Sequence, residues 1–565
     1  MFESQKQRYM HYLISRKSVA SQFIQIEISL ACLDHETLDL QLPAWRPGRY
    51  EMANYAQKIR GFQVKFRGKD IAWNKPTKDL WQFRADEKGT YQIIYEFYAN
   101  QMDAGGSWSD DVQLYLNFTN CAFEVLQRKM ENITIELKIP ESFQVATSMP
   151  NREGFKFEAT DFQNLIDSPL LASENLKHFQ YKIAHTTFHL WFQGEIHFDM
   201  DGLIAIFLAF TQKQILAFGE FPSEDYHFIF QLLPYPHYHG VEHAMSTVIT
   251  FGPAESLKEK NNLDKLIGVS SHELYHYWNV CRIRPKELLP FDLSKETYLD
   301  TGLVLEGVTT YMGDLMLLKS GYYSLTEYLA ILEKQIQREF DGLGWKNQSI
   351  VESSLDLWVD GYKPGIPNKK VNIYNRGALI TLCLDLMLVS EGSSIEEIMK
   401  EMWLNYGKTQ LGYTLNDYEE LITKKFSAGN NSIQNFFQSF VYGKEDIFNT
   451  LEKLLAGIGV KVIQEYNSDF LVHRYGIKFD PSGKIIEVHP ESKAYYQVML
   501  GDKILELNGI EFSAEITHEP SEVTLILLRW GRIINVDLKK DPTLYFPNYS
   551  LMAPDKVGYQ EMWKP

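Results

Sequence analysis

Cysteine is scarce: Cys32, Cys121, Cys281 and Cys383 are the four in 565 residues, far apart and with no Cys-x-x-Cys spacing. That excludes a disulfide framework and a cysteine zinc site. No uninterrupted apolar run approaches the roughly 18 residues of a membrane span; LIAIFLAF at 203–210 has the length of a strand. The opening stretch MFESQKQRYMHYLISRKSVASQF is charged throughout and lacks the apolar core of a secretory signal. A cytoplasmic protein is therefore expected. Runs of lysine and arginine are also missing, and the formal charge is 56 − 73 = −17. Such a surface repels nucleic acid and anionic membranes, so neither is expected as a partner. Without a repeat of fixed period, a solenoid is disfavoured as well.

What the chain does contain is core-forming material: 45% apolar, 14% aromatic and 23% charged residues. This composition is globular, and at roughly 150 residues per domain the length predicts three or four domains. Up to about residue 170 the pattern is β, with FIQIEISL (23–30), YQIIYEFYA (91–99) and ITIELKI (133–139) separated by turn-forming segments. A β-sandwich is the natural solution. Strand-like patterning continues through HLWFQGEIHF and LIAIFLAF to about 252. From about 262 the apolar period lengthens towards four, predicting helices over 263–282, 303–319, 325–339, 376–390, 394–405, 415–425, 433–441 and 446–457. Gly321 supplies a stop signal, and Ser324 or Thr326, then Asn416 or Asp417, supply starts. After about 465 short β segments return. The expected class is multidomain α+β, with domains at 1–170 (β-sandwich), 171–460 (mainly α-helical), 465–541 (small β) and a tail at 542–565.

The chemistry concentrates in Ser271-His272-Glu273-Leu274-Tyr275-His276, an H-E-x-x-H pattern within a helical stretch. Residues i and i+4 share a helix face, so His272 and His276 can reach one metal ion. Glu273, beside the first of them, is then placed to take a proton from metal-bound water. Downstream, Glu306 stands in the apolar helical stretch Leu305-Glu306-Gly307-Val308. A buried carboxylate requires a partner; a zinc ion would serve, and so would a lysine or arginine.

HELYHYWNVCRIRP, LEGVTTYMGD and the terminal small β region resemble the glycyl aminopeptidase family of gluzincin zinc peptidases. LPAWRPGRYEMANYAQKIRGF (42–62) resembles that family's Pro-x-Trp-x-Pro-Gly-x-Tyr segment. The resemblance implies an N-terminal β domain, a thermolysin-like catalytic domain and a C-terminal PDZ domain. It implies one Zn2+ ion held by His272, His276 and Glu306, with Glu273 as general base and acid. Leu303 departs from the aromatic residue expected three positions before the glutamate. Gly240-Val241-Glu242-His243-Ala244 resembles the edge-strand motif that binds peptide backbone, and by analogy Glu242 pairs with the substrate's α-ammonium. Tyr374-Asn375-Arg376-Gly377 resembles the Tyr-x-Lys-Gly segment whose tyrosine donates to the oxyanion, with arginine in place of lysine. Gly501-Asp502-Lys503-Ile504-Leu505-Glu506-Leu507-Asn508-Gly509 is similar to the PDZ signature, which implies a groove for a peptide terminus. The expected activity is zinc-dependent removal of N-terminal residues from peptides, small ones such as Gly or Ala preferred. Its rivals are a zinc endopeptidase with the same site and a non-catalytic, PDZ-led peptide-binding scaffold.

Overall fold

The computed structural model describes residues 10–427, 431–512 and 520–553. They divide into two compact units, one holding the described residues of 10–324 and 344–446, the other those of 325–343 and 447–553.

The first unit opens with an eight-stranded sheet that includes Met10–Ser18, Phe23–Cys32 and Gly89–Tyr98. In Phe23–Cys32 every second side chain is buried (Ile24, Ile26, Ile28, Leu30, Cys32), as the two-residue period of a strand requires. These inward residues meet a second sheet built on Glu36–Gln41 and Leu80–Ala85, where the Phe83 and Tyr91 rings lie 5.7 Å apart. A third sheet, through Gln113–Leu116 and Leu170–Ser173, shares a core of Tyr115, Ala146 and Leu171 with Ile229, Val241 and Val248. Those last three belong to a five-stranded sheet ordered Lys177–Ile183, Thr186–Gln193, Asp225–Leu232, Ser246–Gly252, His237–His243.

One segment differs from the sequence expectation. LIAIFLAF lies inside a helix, Met200–Phe218, and not in a strand. The reason is topological: Thr186–Gln193 and Asp225–Leu232 pair in parallel, and a parallel pair needs a crossover, usually helical. Asp199 caps the start by accepting from the Gly202 amide at 3.0 Å, and Gly219, at φ +90°, ends it. By length and composition alone this helix could cross a membrane. Here it buries Leu203, Phe207, Phe210 and Phe218, with the Phe207 ring edge-on to Phe228 at 5.1 Å.

Helices then follow the expected series, among them Thr309–Lys319, Asn375–Ser390 and Lys260–Tyr275, the last ending in turns before the expected 282. The second unit holds the helices Leu325–Asp341 and Phe448–Gly457 and a four-stranded sheet through Lys503–Leu507, Glu522–Arg529 and Arg532–Lys539. Its core includes Ile477, Ile485, Ile504, Leu525 and Leu527. Of the expected tail, Pro547–Met552 forms a strand paired with Lys461–Tyr466, and residues from 554 onward lie outside the described part.

Candidate metal centre

His272 and Glu273 lie in the last turn of Lys260–Tyr275, and His276 caps that helix. One helical turn brings the two imidazoles to one face, with Nε2 atoms 3.1 Å apart. Glu306 arrives from a π-helical turn, Leu303–Val308, that runs directly into Thr309–Lys319. Such π turns recur at functional sites because they re-aim a side chain within an otherwise regular helix. The Glu306 Oε2 atom lies 3.6 Å from His272 Nε2 and 3.5 Å from His276 Nε2.

Three local features hold this geometry. His276 Nδ1 bonds the Asn279 carbonyl at 2.8 Å, which turns Nε2 towards His272 and Glu306. Asn279, wholly buried, donates in turn to the Val304 carbonyl at 2.7 Å and to Thr309 Oγ1 at 2.9 Å. The end of the histidine helix is thereby tied to the turn that carries Glu306. Finally, Gly307 and Gly377 cross backbone to backbone: a Cβ on Gly307 would lie 2.5 Å from Gly377 Cα, and one on Gly377 2.6 Å from Gly307 Cα. Only a glycine pair lets the Glu306 turn and the start of Asn375–Ser390 approach so closely.

Electrostatics mark the site as short of positive charge. Burial pushes the Glu306 carboxyl up, but the imidazoles of His272 and His276 outweigh it and hold it down to about 2. Burial pushes His276 down, and Glu306 with Glu242 and Glu273 reverses that to about 10. His272 stays below its ordinary value, because burial dominates the pull of Glu306. For Glu273, burial raises the carboxyl well above its usual range; His276 opposes this, and Glu242 and Glu306 add to it. Among the described residues, none donates a hydrogen bond to the buried Oε2 atoms of Glu273 and Glu306. Ligand atoms of His272, His276 and Glu306 all lie within 4.8 Å of one another, as do those of Glu242, Glu273 and His276. Two imidazoles and a carboxylate with orphaned oxygens fit a divalent zinc ion that keeps one position open.

Around this trio stand the other residues singled out from the sequence. His237–His243 is the edge strand of its sheet, antiparallel to Ser246–Gly252, with Gly240, Val241 and Glu242 in its second half. The Glu273 carboxylate packs against Gly240 and leaves no room there for a Cβ. Glu242 abuts Gly48, where a Cβ would lie 2.6 Å from its Oε1; Gly48 has φ +74°, which suits glycine. Tyr374 caps Asn375–Ser390, its amide donating to Asn372 Oδ1 at 3.0 Å, and its ring centroid lies 6.4 Å from that of His272. Burial, then Glu306, Tyr362, Glu242 and Glu273, keep the Tyr374 hydroxyl protonated far above its ordinary range. Arg376 takes no part in this cleft: it is wholly buried and donates to the Glu445 carbonyl at 3.0 Å.

Sequence reading left two residues of the cleft without a role. Tyr50 is buried, and its hydroxyl is held protonated by burial, Tyr362, Glu306 and Glu242. Its backbone amide donates to the Tyr362 hydroxyl at 3.2 Å. The Pro-Gly-x-Tyr segment was a signal for Tyr50, whereas Tyr362 lies in a loop with no motif.

Residues 11–174 match the family model of the peptidase M61 N-terminal domain, and residues 265–380 match that of the M61 glycyl aminopeptidase. Among solved structures, an aminopeptidase N family protein from Idiomarina loihiensis aligns over 98% of this chain and 99% of its own, with 25% identity and a TM-score of 0.89. An M1 zinc metallopeptidase from Deinococcus radiodurans aligns over 78% of this chain and 94% of its own, with 15% identity and a TM-score of 0.48. No curated protein matches the chain. With both of its domains in one sequence, the chain belongs to the M61 glycyl aminopeptidase family and is a metallo-aminopeptidase.

Proposed function

We propose that this protein removes single residues from the free N-terminus of peptides, with one zinc ion held by His272, His276 and Glu306. The observation that carries the reading is the second cluster: Glu242 on the edge strand, Glu273 and His276 offer ligand atoms within 4.8 Å of one another. A fixed carboxylate that near the reacting bond pairs with an α-ammonium and sets cleavage after the first residue. When bound, zinc supplies Lewis acidity, polarising the scissile carbonyl and lowering the pKa of water to about 7. Glu273 takes the proton from the attacking water and passes it to the leaving nitrogen. Tyr374, kept protonated, donates to the oxyanion where charge develops. Backbone groups of Gly240 and Val241 pair with the extended substrate along the open strand edge. Small first residues, Gly or Ala, enter most readily.

In this reading residues 171–460 act as a thermolysin-like catalytic domain behind a β-sandwich at 1–170. Residues 465–541 act as a PDZ-like domain that receives a peptide terminus. Support for the latter is the strand Lys503–Leu507 between Gly501, at φ +88°, and Gly509, at φ +76°.

A peptide pool, half with free and half with acetylated N-termini, tests the proposal by mass spectrometry. Stepwise loss of single residues from free peptides alone is the expected result. Internal cuts in both halves would replace it with an endopeptidase; no cut despite bound zinc would leave a peptide-binding scaffold.

A further inference from the structure

A cavity of about 460 Å³ opens in the first unit, walled by Glu220, Arg282, Arg284, Leu289, Trp403 and Lys408. None of the three proposed zinc ligands lines it, and Arg284 alone is shared with a smaller cavity beside Glu242. Pockets of this volume hold small molecules. The chain carries a formal charge of −17, yet here three cations line the wall with one carboxylate.

That carboxylate is already engaged. Glu220 Oε1 accepts from Lys408 Nζ at 2.6 Å and from the Trp403 indole N–H at 2.8 Å. Burial pushes the Glu220 carboxyl up, and these two donors outweigh it, holding it below its ordinary range. The Cys281 thiol on the same wall adds no negative charge, because burial, then Asp167 and Glu242, raise it well above its usual value.

The guanidiniums are held by neutral groups instead. Arg282 Nη1 donates to the carbonyls of Ala244 at 3.0 Å and Tyr277 at 2.6 Å, and its Cζ stands 3.6 Å from the centre of the Tyr277 ring. Arg284 donates to the Cys281 carbonyl at 2.9 Å and to the Val280 carbonyl at 3.5 Å, with its Cζ 4.3 Å from the centre of the Phe291 ring. Among the described residues neither arginine forms an ion pair with a carboxylate, and neither Arg282 Nε nor Arg284 Nη1 meets an acceptor. Burial draws the Arg284 guanidinium below its ordinary value; Cys281, Asp167 and Tyr50 oppose this, and Arg282 adds to it. Carbonyls and rings satisfy donors without cancelling charge, so the cavity keeps an excess of two positive charges.

We propose that this cavity binds a small organic phosphate monoester, its phosphate on Arg282 and Arg284 and its organic part against Leu289 and Trp403. Such an ester carries about two negative charges at neutral pH and offers three terminal oxygens. Two planar forks of donors match that group in charge and geometry. The apolar wall of Pro222, Leu289 and Trp403 gives the organic part a surface that a bare inorganic ion would leave unfilled.

Isothermal titration of the zinc-loaded protein with glucose 6-phosphate and AMP tests this, against glucose, adenosine and inorganic phosphate. One-to-one binding of at least one ester, at about 1 mM or tighter, is expected, with its uncharged counterpart silent and inorganic phosphate weaker. Arg282→Gln should weaken the ester roughly tenfold or more; Arg282 lines this cavity and not the one beside Glu242. Lys408→Gln, at a side chain 42% exposed, leaves Glu220 uncompensated and should weaken the ester too, which keeps the test if the arginine variant does not fold. A phosphate that only coordinates the zinc ion would bind both variants as tightly as the wild type, and that result overturns the site. So would no binding of either ester at millimolar concentration, or inorganic phosphate or the uncharged counterpart binding as tightly as the ester.

Discussion

Glu273 is a carboxyl group placed where ionisation is disfavoured. It is 5% exposed, and two further carboxylates, Glu242 and Glu306, add their repulsion to the effect of burial. A zinc ion on the neighbouring trio would reverse that balance and leave a base of raised affinity for protons, which suits transfer from water to a leaving amine. Glu273→Gln preserves size and is not among the three proposed ligands. It should therefore retain zinc, read by atomic absorption, while kcat drops by about 10²–10⁴. Turnover within a fewfold of wild type would remove Glu273 from the reaction. Gly240 makes the complementary case. A methyl group there collides with the Glu273 carboxylate, so Gly240→Ala should lower kcat sharply and move the melting temperature little, because the strand itself tolerates alanine. Equal losses of stability and activity would count against a positional effect. His272, Glu273 and His276 were legible because their relation is local, one turn of one helix. The demand on Gly240 was not, since it arises from a distant helix laid across the strand.

Elements were legible where their period was long and their ends were marked. Most helical stretches expected from 263 onward recur in the fold, although the one expected to reach 282 ends at Tyr275; the 415–425 segment starts at Thr414, with Asp417 as its capping-box partner and not the cap itself. LIAIFLAF was misread because eight apolar residues in a row carry no period. What decided it was the parallel pairing of the strands on either side, a long-range fact. The π turn under Glu306 was likewise invisible, as was the glycine crossing that seats it. That crossing makes a prediction at this scale. Gly377→Ala must push the Leu303–Val308 turn off the Asn375–Ser390 helix, at a cost of about 1–3 kcal/mol in overpacking. Glu306 and Tyr374 ride on the two crossing elements, so zinc affinity and kcat should both fall. Urea unfolding alongside a zinc competition titration checks this; a destabilised variant with unchanged zinc affinity would uncouple the crossing from the site.

Across the first unit, an aromatic anchor joins the N-terminal sheets to the helical region. Trp45 is wholly buried, its indole N–H shared between the carbonyls of Asp292 at 3.0 Å and Lys295 at 2.7 Å. Its ring stands edge-on to Trp358 at 5.2 Å and to Phe291 at 6.2 Å. The Ala44 amide beside it donates to the Leu293 carbonyl at 2.7 Å. This anchor fixes the next five residues, which include Arg46 at the cavity beside Glu242, Gly48 against Glu242 and Tyr50 in the cleft. The three proposed ligands, in contrast, are carried entirely by helices and the π turn downstream. Truncating a buried tryptophan costs about 3–5 kcal/mol, so Trp45→Ala should unfold at markedly lower urea. Under conditions where the variant remains folded, it should keep its zinc while kcat/KM on free N-termini falls, because the wall behind Glu242 has lost its support. Zinc loss in step with activity would instead mean that the N-terminal sheets hold the metal helices themselves. Unchanged kcat/KM would mean that the loop from Arg46 to Tyr50 covers the site without shaping it.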